Sequence, residues 1–224
     1  MFNEQSHAFI AAMYYNKLKE RFGDTGVAAF THATQQYGLQ RGHRMALKAL
    51  RDGKPLDIFS YREYGELIRT ADAPETILEV ESTSPDYVYR ITACPWHMQF
   101  EKMGALEAGD AYCSEIDEAL YRGFNPDIGF TAPCNLSKDC FCRHVTPNVF
   151  LDKAPEVRQK NELAHTFDYH CAHLYFSYNR VTEAVFGEEG KKINDEVLEA
   201  YGREYGAEAA SILKSYENTD FNAI

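Results

Sequence analysis

No stretch of about 18 consecutive apolar residues occurs in the sequence, which excludes a hydrophobic membrane-spanning helix. The first ten residues, MFNEQSHAFI, have neither the cationic start nor the apolar centre of an export signal, so the expectation is a cytoplasmic protein. Positive charge is scarce: 23 Lys and Arg stand against 34 Asp and Glu, giving a net charge of -11. Without a basic face to neutralise phosphates, nucleic acid is set aside as a partner, and with no apolar span the membrane is not expected as one. The sequence also lacks a Gly-rich phosphate loop, the HExxH pattern of zinc proteases and the paired CxxC of zinc ribbons.

What is present is apolar and aromatic. The 224 residues are 45% hydrophobic and 13% aromatic, enough to bury roughly 70% of the unfolded surface. Six cysteines (Cys94, Cys113, Cys134, Cys140, Cys142 and Cys171) in a chain read as cytoplasmic are expected to stay reduced, as core residues, ligands or thiolates.

The clearest organisation is a repeat. YNKLKERFGDTG (15–26) returns as YNRVTEAVFGEEG (178–190) with one inserted residue. Downstream, Tyr37, Gly38, Gly42 and Ala46 correspond to Tyr201, Gly202, Gly206 and Ala210, and upstream His7 aligns with His170. Each copy reads as a helical hairpin, with Gly23 and Gly187 as left-handed ends of its first helix. Ile193, Val197, Tyr201 and Tyr205 recur every four residues as a buried stripe, with Lys191, Lys192, Asp195, Glu196 and Glu199 largely outward. Glycine inside a helix costs about 1 kcal/mol relative to alanine. The recurrence of Gly38, Gly42, Gly202 and Gly206 therefore predicts close helix approach.

Between the hairpins, TILEVEST and YVYRITAC alternate as strands joined by a turn at SPD. Pro95 opens a short helix to Met103, Asp110 caps a helix that Gly123 ends, and PDIGFTA and CFCRHVTP return as strands. The predicted fold is α+β, a small antiparallel sheet with inserted helices, flanked by N- and C-terminal α-helical hairpins. Its parts are an N-terminal hairpin (1–70), a central α+β region (71–150) and a C-terminal hairpin (151–224), forming one unit.

Chemistry concentrates in three places. With Asp110 as cap, Cys113 falls in the first helical turn, where free amides favour a thiolate, while Asp117 one turn on opposes it; a plain core role for Cys113 beside Ile116 and Leu120 is the alternative. CNLSKDCFCRH supplies Cys134, Cys140, Cys142 and His144, and in a strand Cys140, Cys142 and His144 share a face. In FDYHCAHLYFSYN, His170 and His173 lie a helical turn apart with Cys171 between them, suited to proton transfer at a cleft.

CPW after a strand, YCSEIDEALYRGFNPDI, CFCRH, YHCAHLYF and FGEEGKKINDEVLEAYGREYG together resemble the L-2-amino-thiazoline-4-carboxylic acid hydrolase family of bacteria over nearly the whole chain. The resemblance implies addition of water to an aminothiazoline ring, giving a carbamoyl-cysteine, and site positions at Cys94, Cys113, Asp117, Asn125, Cys142, His170 and His173. The centre also resembles the 4-vinyl reductase domain of bacterial sensors, which holds zinc through cysteines and a glutamate. Cys134 and Cys142 repeat the cysteine separation seen there, but Thr131 stands at the glutamate position.

The expected function is a hydrolase opening a small cyclic C–N or C=N bond, with a small-molecule substrate and no cofactor. Cys113 or Cys142 would act as nucleophile or hydrogen-bonding group, and Asp117, His170 and His173 would move protons. Cys94, Trp96, Arg122, Asn125 and His144 would bind substrate, with Arg122 or Arg143 on a carboxylate. Zinc at Cys134 and Cys142, in a sensor-like module without turnover, is the alternative, and a homo-oligomer is compatible with either. A further reading makes the cysteines and histidines filling for a scaffold. The central expectation is spatial: His170 and His173 converge with Cys113 and Cys142 on one cavity.

Overall fold

A computed structural model describes residues 2–153 and 156–224. The chain opens with α1 (Glu4–Arg51), started by a reciprocal cap in which Asn3 Oδ1 accepts from the Ser6 amide and Ser6 Oγ accepts from the Asn3 amide, both at 3.0 Å. At Gly23 the backbone takes φ 54° and ψ -133°, a conformation open to glycine alone, and the helix folds back on itself. His7 then meets Tyr37 and Tyr15 meets Phe30 across the two arms. α2 (Ile58–Glu63) follows, then strands β1 (Ile77–Ser82) and β2 (Tyr87–Ala93), helices α3 (Pro95–Lys102) and α4 (Leu106–Phe124), strands β3 (Thr131–Cys134) and β4 (Cys142–Thr146), and helices α5 (Phe167–Tyr205) and α6 (Ala207–Ser215). α5 turns back at Gly187 with nearly the same angles as Gly23, so both hairpins read from the repeat are present. None of the described helices is long and apolar enough to cross a membrane.

The four strands form one antiparallel sheet in the order β1-β2-β4-β3. The fold is thus α+β, a small sheet flanked by helical hairpins. The largest apolar core draws on both arms of α1, on α3, α4, both arms of α5, and α6. α4 lies against the second arm of α1 at a distance set by glycine. A Cβ on Gly42 would stand 2.1 Å from the Leu120 carbonyl oxygen, and one on Gly38 2.7 Å from the Ala119 Cβ. The close approach expected of these two residues is therefore met.

Several local expectations are corrected. α4 begins at Leu106, not at Asp110, so Cys113 sits in the second turn, where the amides are already bonded within the helix. Gly123 does not end α4; it packs against the Leu39 backbone, and the helix continues to Phe124. Gly206, at φ 98°, breaks the chain between α5 and α6 instead of bringing helices together. PDI forms a single 3-10 turn, and the strand starts only at Thr131. Leu78 and Val80 alternate as expected but are 40% and 52% exposed, because β1 is an edge strand.

The repeat also aligns differently in space. Phe22 stacks on Phe186 with ring centroids 3.8 Å apart, Tyr14 meets Tyr178, Phe9 meets Tyr201, and Tyr37 meets His173. Phe22 and Phe186, and Tyr14 and Tyr178, are 164 residues apart, and the same offset carries Phe9 to His173 and Tyr37 to Tyr201, exchanging the other two pairs. The structural counterpart of His170 is Ser6, not His7, and that of His173 is Phe9.

Candidate functional site

A cavity of about 320 Å³ lies between the sheet and α4. Period-two alternation puts Tyr89 and Ile91 of β2 and Cys142 and His144 of β4 on the sheet face that lines it. Helical spacing puts Tyr112, Cys113, Ile116 and Asp117 of α4 opposite. Cys94 and Trp96 close one side at the start of α3, Cys134 and Asn135 another, and Arg41 reaches in from α1.

Its polar groups form one chain and one cluster. His144 Nδ1 and the Tyr89 hydroxyl share a hydrogen bond at 2.8 Å, and His144 Nε2 faces Asp117 Oδ2 at 3.6 Å. The tautomer consistent with both neighbours carries its proton on Nε2, toward the carboxylate. The cluster is sulfur. Burial pushes the Cys113 thiol well above its ordinary range, reinforced by Cys94, Cys142 and Asp117. Burial likewise raises Cys94 and takes Cys142 up to about 12, although the Leu136 amide donates to its Sγ at 3.3 Å. At neutral pH these three are thiols, not thiolates.

Of the residues singled out in the sequence, Cys94, Trp96, Cys113, Asp117, Cys142 and His144 come together here, and Cys134 joins them. His170 and His173 do not, and the expected convergence on one cavity fails. Both are fully buried inside a separate ionic assembly. Arg44 Nε and Nη2 donate to Glu66 at 3.0 and 2.6 Å, and Lys48 donates to the same carboxylate at 3.2 Å. His173 Nε2 donates to Gln40 Oε1 at 3.0 Å while its Nδ1 faces the Arg44 guanidinium at 3.4 Å; His170 Nε2 donates to the Glu66 carbonyl at 2.9 Å. Burial, with Arg44 beside His173 and Arg41 beside His170, holds both imidazoles well below their ordinary value and hence neutral. Cys171 contacts Ser6 Oγ at 3.6 Å. The helix holding His170, Cys171 and His173 is thus stitched to α1 and to the segment after α2.

Arg122 is exposed and does not line the cavity. Arg143 is engaged with Glu81 at 3.0 Å, on the alternate side of β4 from Cys142 and His144. Asn125 caps the turn after α4, accepting from the Asp127 amide at 3.0 Å and donating to the Leu56 carbonyl at 2.7 Å. Cys140 precedes β4 and is exposed.

A family model described as L-2-amino-thiazoline-4-carboxylic acid hydrolase matches residues 3–142. The chain belongs to this family. No curated protein matches the chain, and no solved structure does. The segment matched to the hydrolase family runs from the cap of α1 to the first residue of β4, and so carries Arg41, Cys94, Trp96, Cys113, Asp117 and Cys142.

Cys134 Sγ donates to the Phe141 carbonyl, Cys142 Sγ accepts from the Leu136 amide, and among the described residues no group of three or more His, Cys, Asp or Glu could hold a metal ion. Tyr89 and Arg41 are among the lining residues that escaped the sequence reading. Tyr89 was visible only as a strand residue, and its partnership with His144 depends on the β2–β4 register. Arg41 lies on a helix whose local pattern does not distinguish it from Arg44, and only the cavity separates them.

Proposed function

We propose that the cavity hydrolyses a small ring containing a C=N carbon, with L-2-amino-thiazoline-4-carboxylate as the type substrate and a carbamoyl-cysteine as product. The observation that carries this reading is the Asp117–His144–Tyr89 chain, an acid–base unit lining a cavity of small-molecule size. Water adds across the ring C=N bond, its oxygen bonding the carbon while one proton passes through the Asp117–His144 pair to the ring nitrogen. The new hydroxyl then becomes the carbamoyl carbonyl as the bond to ring sulfur or ring nitrogen breaks, and the same pair carries the hydroxyl proton to whichever atom leaves. The net change is addition of one water.

The thiols of Cys113 and Cys142 serve here as neutral hydrogen-bond donors around the reacting ring, because burial disfavours the thiolate a nucleophile would need. Neutral thiols around an apolar hollow also suit a binding module without turnover, which is the second reading. One experiment separates the two. The full chain is incubated with L-2-amino-thiazoline-4-carboxylate, and with other thiazolines, cyclic amidines and hydantoins, and carbamoyl products are followed by mass spectrometry. Ring opening that is lost in Asp117→Asn supports the hydrolase; saturable binding with no product for any of these rings abandons it.

A further inference from the structure

Three cations on α1, Arg41, Arg44 and Lys48, are buried within one stretch of helix, with relative exposures of 5%, 0% and 5%. One buried carboxylate, Glu66, answers them, and its hydrogen bonds go to Arg44 and Lys48. Among the described residues Arg41 makes no hydrogen bond and no ion pair, and its Nε is enclosed without a partner. Its guanidinium rests near the Tyr37 ring, 5.5 Å from the centroid, and the side chain lines the cavity. A guanidinium removed from water and left unpaired is costly, and evolved interiors pair such groups. The other lining cation, Arg69, is exposed and donates to the Thr76 carbonyl at 3.5 Å. Asp117, the lining carboxylate, is 38% exposed on its side chain and faces His144.

We propose that Arg41 is the anion anchor of the cavity, and that the ligand is a small ring bearing a carboxylate which takes up the free face of this guanidinium. This deepens the proposed hydrolysis and rests on it for the identity of the ring. A planar guanidinium binds a carboxylate with two parallel hydrogen bonds, fixing the ring's orientation as well as its charge. Held at that corner, the ring lies between α4 and the sheet, where the Asp117–His144 pair and the thiols are. Arg122 and Arg143, which lie off the cavity, have no part in it.

The chain contains one tryptophan, and Trp96 lines this cavity, so its fluorescence reports occupancy. The probes are thiazolidine-4-carboxylate, which has no C=N bond to hydrolyse, and its carboxamide, titrated into the full chain and into Arg41→Met and Arg41→Lys. The carboxylate should perturb Trp96 saturably in the parent chain and bind about 10- to 100-fold more weakly in Arg41→Met, the loss expected for charge-assisted hydrogen bonds. Arg41→Lys should recover part of this, and the carboxamide should bind weakly throughout. Unchanged carboxylate affinity in Arg41→Met, equal binding of the two probes by the parent chain, or no response of Trp96 to the carboxylate overturns the proposal. Should Arg41→Met lose its helical circular dichroism, the two probes on the parent chain decide alone. Carboxylate binding without aminothiazoline turnover would sink the hydrolysis and leave Arg41 in place, and turnover indifferent to the carboxylate would do the reverse.

Discussion

Two polar assemblies adjoin along the second arm of α1, and they differ in how completely their groups are satisfied. Around Glu66, a bidentate arginine, a lysine and two neutral histidines bond to one another and to backbone carbonyls, with only the uncharged Nδ1 of His170 left over. Around the cavity, a guanidinium lacks a partner, a carboxylate and an imidazole stand just outside hydrogen-bond distance, and three thiols are held neutral. Satisfied buried charge fixes the relative placement of segments. Unsatisfied charge at a hollow is what a ligand completes. Histidine and cysteine clustering alone joined the imidazoles of the first assembly to the thiols of the second as one site, whereas the distribution of unpaired groups points to the second by itself.

That contrast is open to direct attack. Glu66→Ala leaves Arg44 and Lys48 buried without a counter-ion, and we expect about 3–5 kcal/mol of lost stability by denaturant titration; a loss below about 1 kcal/mol would remove the structural role assigned to this assembly. Asp117→Asn should lower ring-opening turnover by about 100-fold or more with the denaturation midpoint nearly unchanged. Equal damage to turnover and stability would erase the distinction.

Acid should act on the structural side. The folded pKa values of His170 and His173 lie below the unfolded value of 6.5, so between those limits the unfolded chain binds the extra protons. Their contribution is fully present above 6.5 and is lost as the pH falls below it, at about 1.4 kcal/mol per pH unit for each histidine that stays neutral when folded. Unfolding midpoints measured from pH 7.5 to 5.5 report this, and a shallower profile in the double variant His170→Gln, His173→Phe assigns it, the remaining slope belonging to His7 and His165, whose values burial also lowers. His173→Phe copies the residue at its counterpart Phe9, and should cost about 1–3 kcal/mol of stability while changing turnover less than about two-fold. Loss of turnover at full stability would return His173 to the site. The smallest effect is kinetic: exposed Cys140 should be alkylated before Cys113 and Cys142, and mass mapping of partially labelled protein checks the order.

Much of the architecture was legible because it depends on local chemistry. The glycines at 23 and 187 marked both hairpin bends, and alternation marked β1, β2 and β4. The pairing of Cys113 with Asp117 on one helix face, and of Cys142 with His144 on one strand face, followed from period alone. Errors arose where tertiary packing overrode a local signal. Asp110 looks like a cap, but its carboxylate accepts from Asn135 at 3.0 Å and pairs with Lys138 while α4 runs through it. His170 and His173 look like a functional pair because sequence shows their spacing and not their partners.

The sequence by itself determined the two folded-back helices, the small sheet between them and the stock of thiols and carboxylates, since helix and strand periodicity act over a few residues. Which of those groups share a cavity was decided only by tertiary structure. Glycine-limited docking of α1 on α4 and the β2–β4 register bring Arg41, Asp117, His144 and Tyr89 to one hollow from four separate segments. Burial then sets their charge states, and burial is a property of the whole fold.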